Sequence, residues 1–70
     1  MNRTPVESTN IADIGYDPTT QTLEIGFLNG TVYQYLNVPP NIFSQLMSAS
    51  SHGTFLNKQI KPKYQYKQIQ

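Results

Sequence analysis

Ser50-Ser51-His52-Gly53-Thr54 is the stretch of this chain whose residue types best suit chemistry, and that chemistry is the capture of an anion. Free backbone N–H groups at a helix start, with hydroxyls beside them, form a ready anion site. Lys58 follows on the same stretch, and Lys61 and Lys63 lie just beyond it. Tyr64 and Tyr66, interleaved with Lys63 and Lys67, add rings on which a base can stack next to a phosphate contact. A plainer reading runs alongside: Ser51 as a helix cap, Gly53 as a left-handed backbone residue, His52 as an exposed loop histidine and the lysines as a solvated tail. A cap can exchange its own hydroxyl contact for a ligand's oxygen, so the two readings are compatible.

Catalysis finds little to work with. His52 is the one histidine and there is no cysteine. Glu7, Asp13, Asp17 and Glu24 fall in separate turn and strand positions, without the paired spacing that acid–base work needs. No glycine-rich phosphate loop, metal-ligand cluster or nucleophile elbow is present, so the expectation is a binding protein without metal or cofactor. Charge points the same way. Residues 1–37 set Arg3 against four acids, a net charge of −3, whereas residues 38–70 hold four lysines and no acid, a net charge of +4. A basic C-terminal end suits an anionic partner such as a nucleotide or RNA.

These residues must be positioned by one small domain, because 70 residues cannot divide their core. A domain this small buries only about 60% of its unfolded surface, which makes self-association a means of gaining stability. Without cysteine there is no disulfide framework, and Met1–Asn10 is polar with no apolar segment behind a basic cluster. No stretch approaches the roughly 18 apolar residues of a membrane span, so a soluble cytoplasmic protein is expected, with no membrane partner.

Leu23–Leu36 carries the clearest local signal, with Asn29-Gly30 between two β-rich runs. A two-residue turn would set Ile25 against Gln34 and expel both tyrosines from the apolar stripe. A type I turn over Leu28, Asn29 and Gly30, with Gly30 as the left-handed bulge residue, sets Ile25 against Tyr33 and Leu23 against Tyr35. The second register gathers Leu23, Ile25, Phe27, Tyr33 and Tyr35 on the buried face. Thr22, Glu24, Gly26, Val32, Gln34 and Leu36 then face outward, and Val32 with Leu36 reads either as ordinary exposed apolar residues or as part of an oligomer interface.

Ile11–Tyr16 alternates with Ala12, Ile14 and Tyr16 on one side, and Asp17-Pro18-Thr19-Thr20 turns the chain into the next strand. Ile42, Phe43, Leu46, Met47 and Ser50 recur at helical spacing after Pro39-Pro40, which predicts a helix over 40–49. Gly53 separates it from a second short helix over 54–60 that buries Phe55, Leu56 and Ile60 and ends at Pro62. Residues 63–70 form either an edge strand or a polar basic tail, outside an ordered core expected over about residues 8–62. The fold class expected is α+β: a three-stranded antiparallel meander packed by one main helix and a short second one.

Ile14-Gly15-Tyr16-Asp17, then Leu23, Ile25 and Phe27 before Gly30, then Tyr33-Gln34-Tyr35, Val38-Pro39, and finally Ser51, Gly53, Phe55, Asn57 and Ile60 resemble the KTSC domain in order and spacing. That domain takes its name from the C-terminus of some lysyl-tRNA synthetases and also occurs as small stand-alone proteins of bacteria and phages. The resemblance covers nearly the whole chain and implies a strand-rich fold with one main helix. Through the synthetases it also points towards RNA or nucleotides, with sequestration of a nucleotide signal as one use of a stand-alone copy. The function expected is therefore a non-catalytic binding module for a phosphate-bearing ligand. The alternative is a self-associating interaction module with no small ligand.

Overall fold

Gly30 sets the register of the central hairpin. In the computed structural model, which describes residues 1–70, Gly30 adopts φ 91° and its N–H donates to the Phe27 carbonyl, 3.0 Å. Only glycine takes that conformation without strain. Strands β3 (Thr22–Phe27) and β4 (Val32–Tyr35) then pair with Leu23 opposite Tyr35 and Ile25 opposite Tyr33. The expected three-residue register holds.

The sheet has five strands, not the three expected. β2 (Ile11–Asp17) precedes β3, and short strands close both edges: β1 (Thr4–Pro5) on β2 and β5 (Tyr66–Gln68) on β4. All neighbours are antiparallel in the order β1-β2-β3-β4-β5. Both edge strands lie outside residues 8–62, where the ordered core was expected. β5 realises the edge-strand alternative for residues 63–70, whereas β1, two residues long, carries too little alternation to read as a strand; at both edges the neighbouring strand's unpaired backbone groups supply the drive.

Strict alternation in β2 also fails, for a definable reason. Ile11 pairs with Phe27 but Asp13 pairs with Gly26, leaving Ala12 as the extra residue of a bulge. The bulge turns Ile11 onto the same face as Ile14, and both are buried. Tyr16 shares that face; its ring stacks on Phe43 at 4.6 Å and its hydroxyl donates to the Val38 carbonyl, 2.5 Å.

The face expected to be open is partly covered. Glu24, Gly26 and Val32 are all buried on it. Residues 1–3 lie across this side, close enough that a Cβ on Gly15 would meet the Asn2 carbonyl. Arg3 donates from Nε to Asp13 Oδ1 at 2.8 Å and from Nη1 to Glu24 Oε2 at 2.5 Å, and Gln34 Nε2 donates to Glu24 Oε1 at 2.9 Å. Val32 is flanked by the chain's end, its N–H donating to the Gln70 carbonyl and its carbonyl accepting from Ile69 N–H. The Val32–Leu36 patch is therefore absent as an open surface: Val32 is 4% exposed and Leu36 half-buried.

Helix α1 (Pro40–Ser48) starts behind Pro39 and Pro40 as expected, with Leu46 fully buried and Ile42, Phe43 and Met47 against the core. Helix α2 (His52–Phe55) begins two residues earlier than the expected second helix and runs directly into a π-helical turn, Leu56–Ile60. Gly53 therefore lies inside a helix and not in a left-handed break. A Cβ there would stand 2.6 Å from Asn10 Oδ1, so the Asn10 side chain packs in the space that the missing Cβ leaves. Leu56 and Ile60 complete a core with Ile11, Ile14, Leu23, Ile25, Tyr35, Val38 and Leu46.

Candidate functional site

Six of the ten expected site residues divide between two depressions of the surface. The first opens at the hairpin end of the helix-covered face, has a volume of about 610 Å³, and is lined by Phe27, Tyr33, Tyr35, Tyr66 and Lys61 together with Thr9, Asn10, Leu28, Asn29 and Thr31. The second, about 210 Å³, is lined by Ser50, Ser51, Thr54, Lys58 and Gln59 with Ala49 and Phe55.

Pairing of β5 with β4 builds the first. Tyr66 falls opposite Tyr35, so three tyrosines stand on one stripe of the sheet. Tyr66 lies 5.8 Å from Tyr33 and 5.7 Å from Tyr35, centroid to centroid, and Phe27 meets Tyr33 edge-on at 5.7 Å. Such tilted and edge-on contacts suit aromatic quadrupoles and leave ring faces open. Phe27 and Tyr33, expected to be buried, are only half-buried because no element of the chain covers this end of the sheet. Lys61, just past the π turn, holds its ammonium 5.7 Å from the Phe27 centroid and gives the groove its one positive charge.

Hydroxyls divide the tyrosines further. Tyr33 donates to Gln68 Oε1 at 3.1 Å, which fixes its ring against β5. Tyr35 has a side chain 1% exposed, and burial, helped by Tyr33 and Tyr66, pushes its phenol up to about 12. It therefore remains a protonated donor at neutral pH.

The serine-rich start of α2 is largely engaged within the chain. Ser51 Oγ accepts from Thr54 N–H at 3.2 Å and bonds the Thr54 hydroxyl at 3.0 Å, so the expected cap is present. His52 is not an exposed loop histidine: it is half-buried with Nδ1 2.9 Å from the Leu46 carbonyl. A carbonyl only accepts, so Nδ1 carries the proton. Gly53 is buried against Asn10, and Lys63 Nζ donates to Gln59 Oε1 at 3.0 Å. Tyr64 packs on the core, and Lys67 lies opposite Gln34 on the other face from Tyr66. Of the ten expected site residues, only Lys61 and Tyr66 share the larger groove; Ser50, Ser51, Thr54 and Lys58 share the smaller one.

No three His, Cys, Asp or Glu side chains cluster closely enough to hold a metal ion, and the Arg3–Asp13–Glu24 group is an internal ion-pair network on the opposite side of the sheet. No helix is long and apolar enough to cross a membrane.

Comparison with known proteins agrees with the fold. A small protein of Tsukamurella paurometabola is 45% identical over 60 residues, covering 86% of this chain and 90% of that protein. A lysine–tRNA ligase of Nostoc punctiforme is 41% identical over 63 residues, covering 90% of this chain but 11% of the ligase. The crystal structure of a KTSC domain protein from Yersinia pestis superposes with a TM-score of 0.92 at 44% identity, covering 99% of this chain and 97% of that one. The KTSC domain profile matches residues 7–64, and this chain belongs to the KTSC domain family.

Proposed function

We propose that this chain is a cytoplasmic, non-catalytic binding module whose ligand is a phosphate-bearing base, taken either as a free nucleotide or as an unpaired residue of RNA. The observation that carries the reading is the groove in which Lys61 and Tyr66 meet Tyr33 and Phe27. Aromatic faces accept any base by stacking, at about 1–3 kcal/mol each, and one lysine at the rim can meet the phosphate that follows. The likeness to part of a lysine–tRNA ligase is in keeping with an RNA ligand. The site is thereby moved from the serine-rich helix start, whose hydroxyls bond each other, to the aromatic end of the sheet.

Titration with uridine and adenosine monophosphates, and separately with hexauridylate and hexaadenylate, tests the reading and distinguishes its two sources. Hexamer binding that weakens with salt, with monophosphates binding poorly, identifies RNA; comparable affinity for both identifies a nucleotide. Absence of binding by all four at low salt contradicts the proposal.

Self-association is the second reading. It now rests on the outer edge of β5, where Tyr66 is 58% and nearby Ile69 47% exposed, and no longer on Val32. Sedimentation over a range of concentrations tests it, and a monomer throughout contradicts it.

A further inference from the structure

Tyr35 is the best-buried tyrosine, yet its hydroxyl has no partner within the chain. The Tyr16 hydroxyl donates to the Val38 carbonyl and that of Tyr33 to Gln68, whereas none of the side chains around Tyr35 accepts from it. No side-chain nitrogen or oxygen is both fully enclosed and unpartnered. The Tyr35 hydroxyl therefore reaches accessible space, and the space that Tyr35 lines is the aromatic groove. A tyrosine buried in the core of the sheet, whose unpartnered hydroxyl is not fully enclosed and whose side chain lines the groove, is a donor fixed in position before any ligand arrives.

We propose that Tyr35 is the groove's specificity-determining donor: a base enters edge-first and presents a carbonyl or ring-nitrogen acceptor to its hydroxyl, while Lys61 at the rim meets the phosphate. This rests on the reading of the groove as a base-binding site and assigns what that site selects. Stacking on Tyr33 and Tyr66 is indifferent to the polar pattern of a base edge, so selectivity needs a directed hydrogen bond. The donor is neutral, so it reads the edge and not the charge. Burial raises its pKa to about 12, so the proton stays in place at neutral pH.

The test compares hexauridylate with a hexamer of the same backbone whose bases are difluorobenzene rings, uracil-shaped but lacking strong acceptors, on the full chain and on Tyr35→Phe. The wild-type chain is expected to bind hexauridylate about three- to tenfold more tightly than the analogue, the range of one neutral hydrogen bond. Tyr35→Phe, which removes no bond within the chain, should retain its melting temperature and bind both hexamers equally, at the wild-type affinity for the analogue. Equal wild-type affinity for both hexamers, or a preference that survives in Tyr35→Phe, overturns the assignment while leaving the groove reading intact. Binding of neither hexamer by the wild-type chain overturns both.

Discussion

Tyr66 on the last strand stands edge-on to Tyr35 on the fourth, 5.7 Å between ring centroids, and this contact joins the two Tyr-Gln-Tyr tripeptides of the chain in one sheet. It converts a basic C-terminal segment into one wall of an aromatic groove. The consequences for binding and stability follow from which side chains it brings to that groove and which it leaves elsewhere.

Lys61 and Lys58 should behave differently, although both are exposed lysines a few residues apart. Lys61→Gln is expected to weaken hexauridylate binding and to reduce the slope of log K against log salt by about 0.7, the value for one phosphate contact on a single strand. Lys58→Gln, in the smaller depression, should leave both unchanged. Fluorescence anisotropy of a labelled hexamer across a salt series reads the two together.

Tyr66→Ala should lower affinity about tenfold, the loss of one stacking platform. It should cost little stability, because more than half of the side chain is exposed and β5 is held mainly by backbone hydrogen bonds to β4. Thermal melting alongside the same titration separates the two effects. A large loss of stability with unchanged affinity would make Tyr66 a structural residue only.

Ser51→Ala removes the side-chain acceptor for Thr54 N–H and should destabilise the domain by about 1 kcal/mol. Affinity for hexauridylate should not change, since Ser51 lines the other depression. Urea unfolding checks the first expectation, and a fall in affinity at constant stability would return the site to the helix start.

Acid should loosen the N-terminal strand before the groove. Burial raises the Glu24 carboxyl, but hydrogen bonds from Gln34 and Arg3 and the guanidinium charge outweigh it, and the net position is below the ordinary value of 4.5. A carboxyl depressed by folding contributes stability that is complete above about pH 4.5 and is lost as pH falls through the lower folded value. Glu24→Gln should therefore cost about 1–3 kcal/mol at neutral pH, with the difference shrinking below pH 4. Unfolding curves at several pH values test this, and a pH-independent difference would contradict the ion-pair origin.

The hairpin was legible because one glycine decides it: only a left-handed Gly30 gathers Leu23, Ile25, Tyr33 and Tyr35 on one face. Helix α1 was legible from proline placement and helical spacing. The bulge at Ala12 was not, since one residue inserted in a strand leaves no mark on composition. Nor was the cover on the outer face, because Arg3, Asp13 and Glu24 read as ordinary surface charges until β1 brings them together. The groove was half legible. Tyr66 and Lys61 were singled out from the basic tail, but Tyr33 and Phe27 were assigned to the core, and the missing fact was the pairing of β5 with β4. The repeated Tyr-Gln-Tyr was a partial signal only: set face to face in an antiparallel pair the two copies would bring Tyr66 to Tyr33, and the register found is offset by two residues, which brings Tyr66 to Tyr35.

Backbone amide chemical-shift mapping by NMR during titration with hexauridylate tests the central claim most directly. Shifts confined to the residues that line the aromatic groove, with Phe27, Tyr33, Tyr35, Lys61 and Tyr66 at their centre, are the expected result. Shifts confined to Ser50–Gln59, or none at millimolar hexamer in low salt, would contradict it.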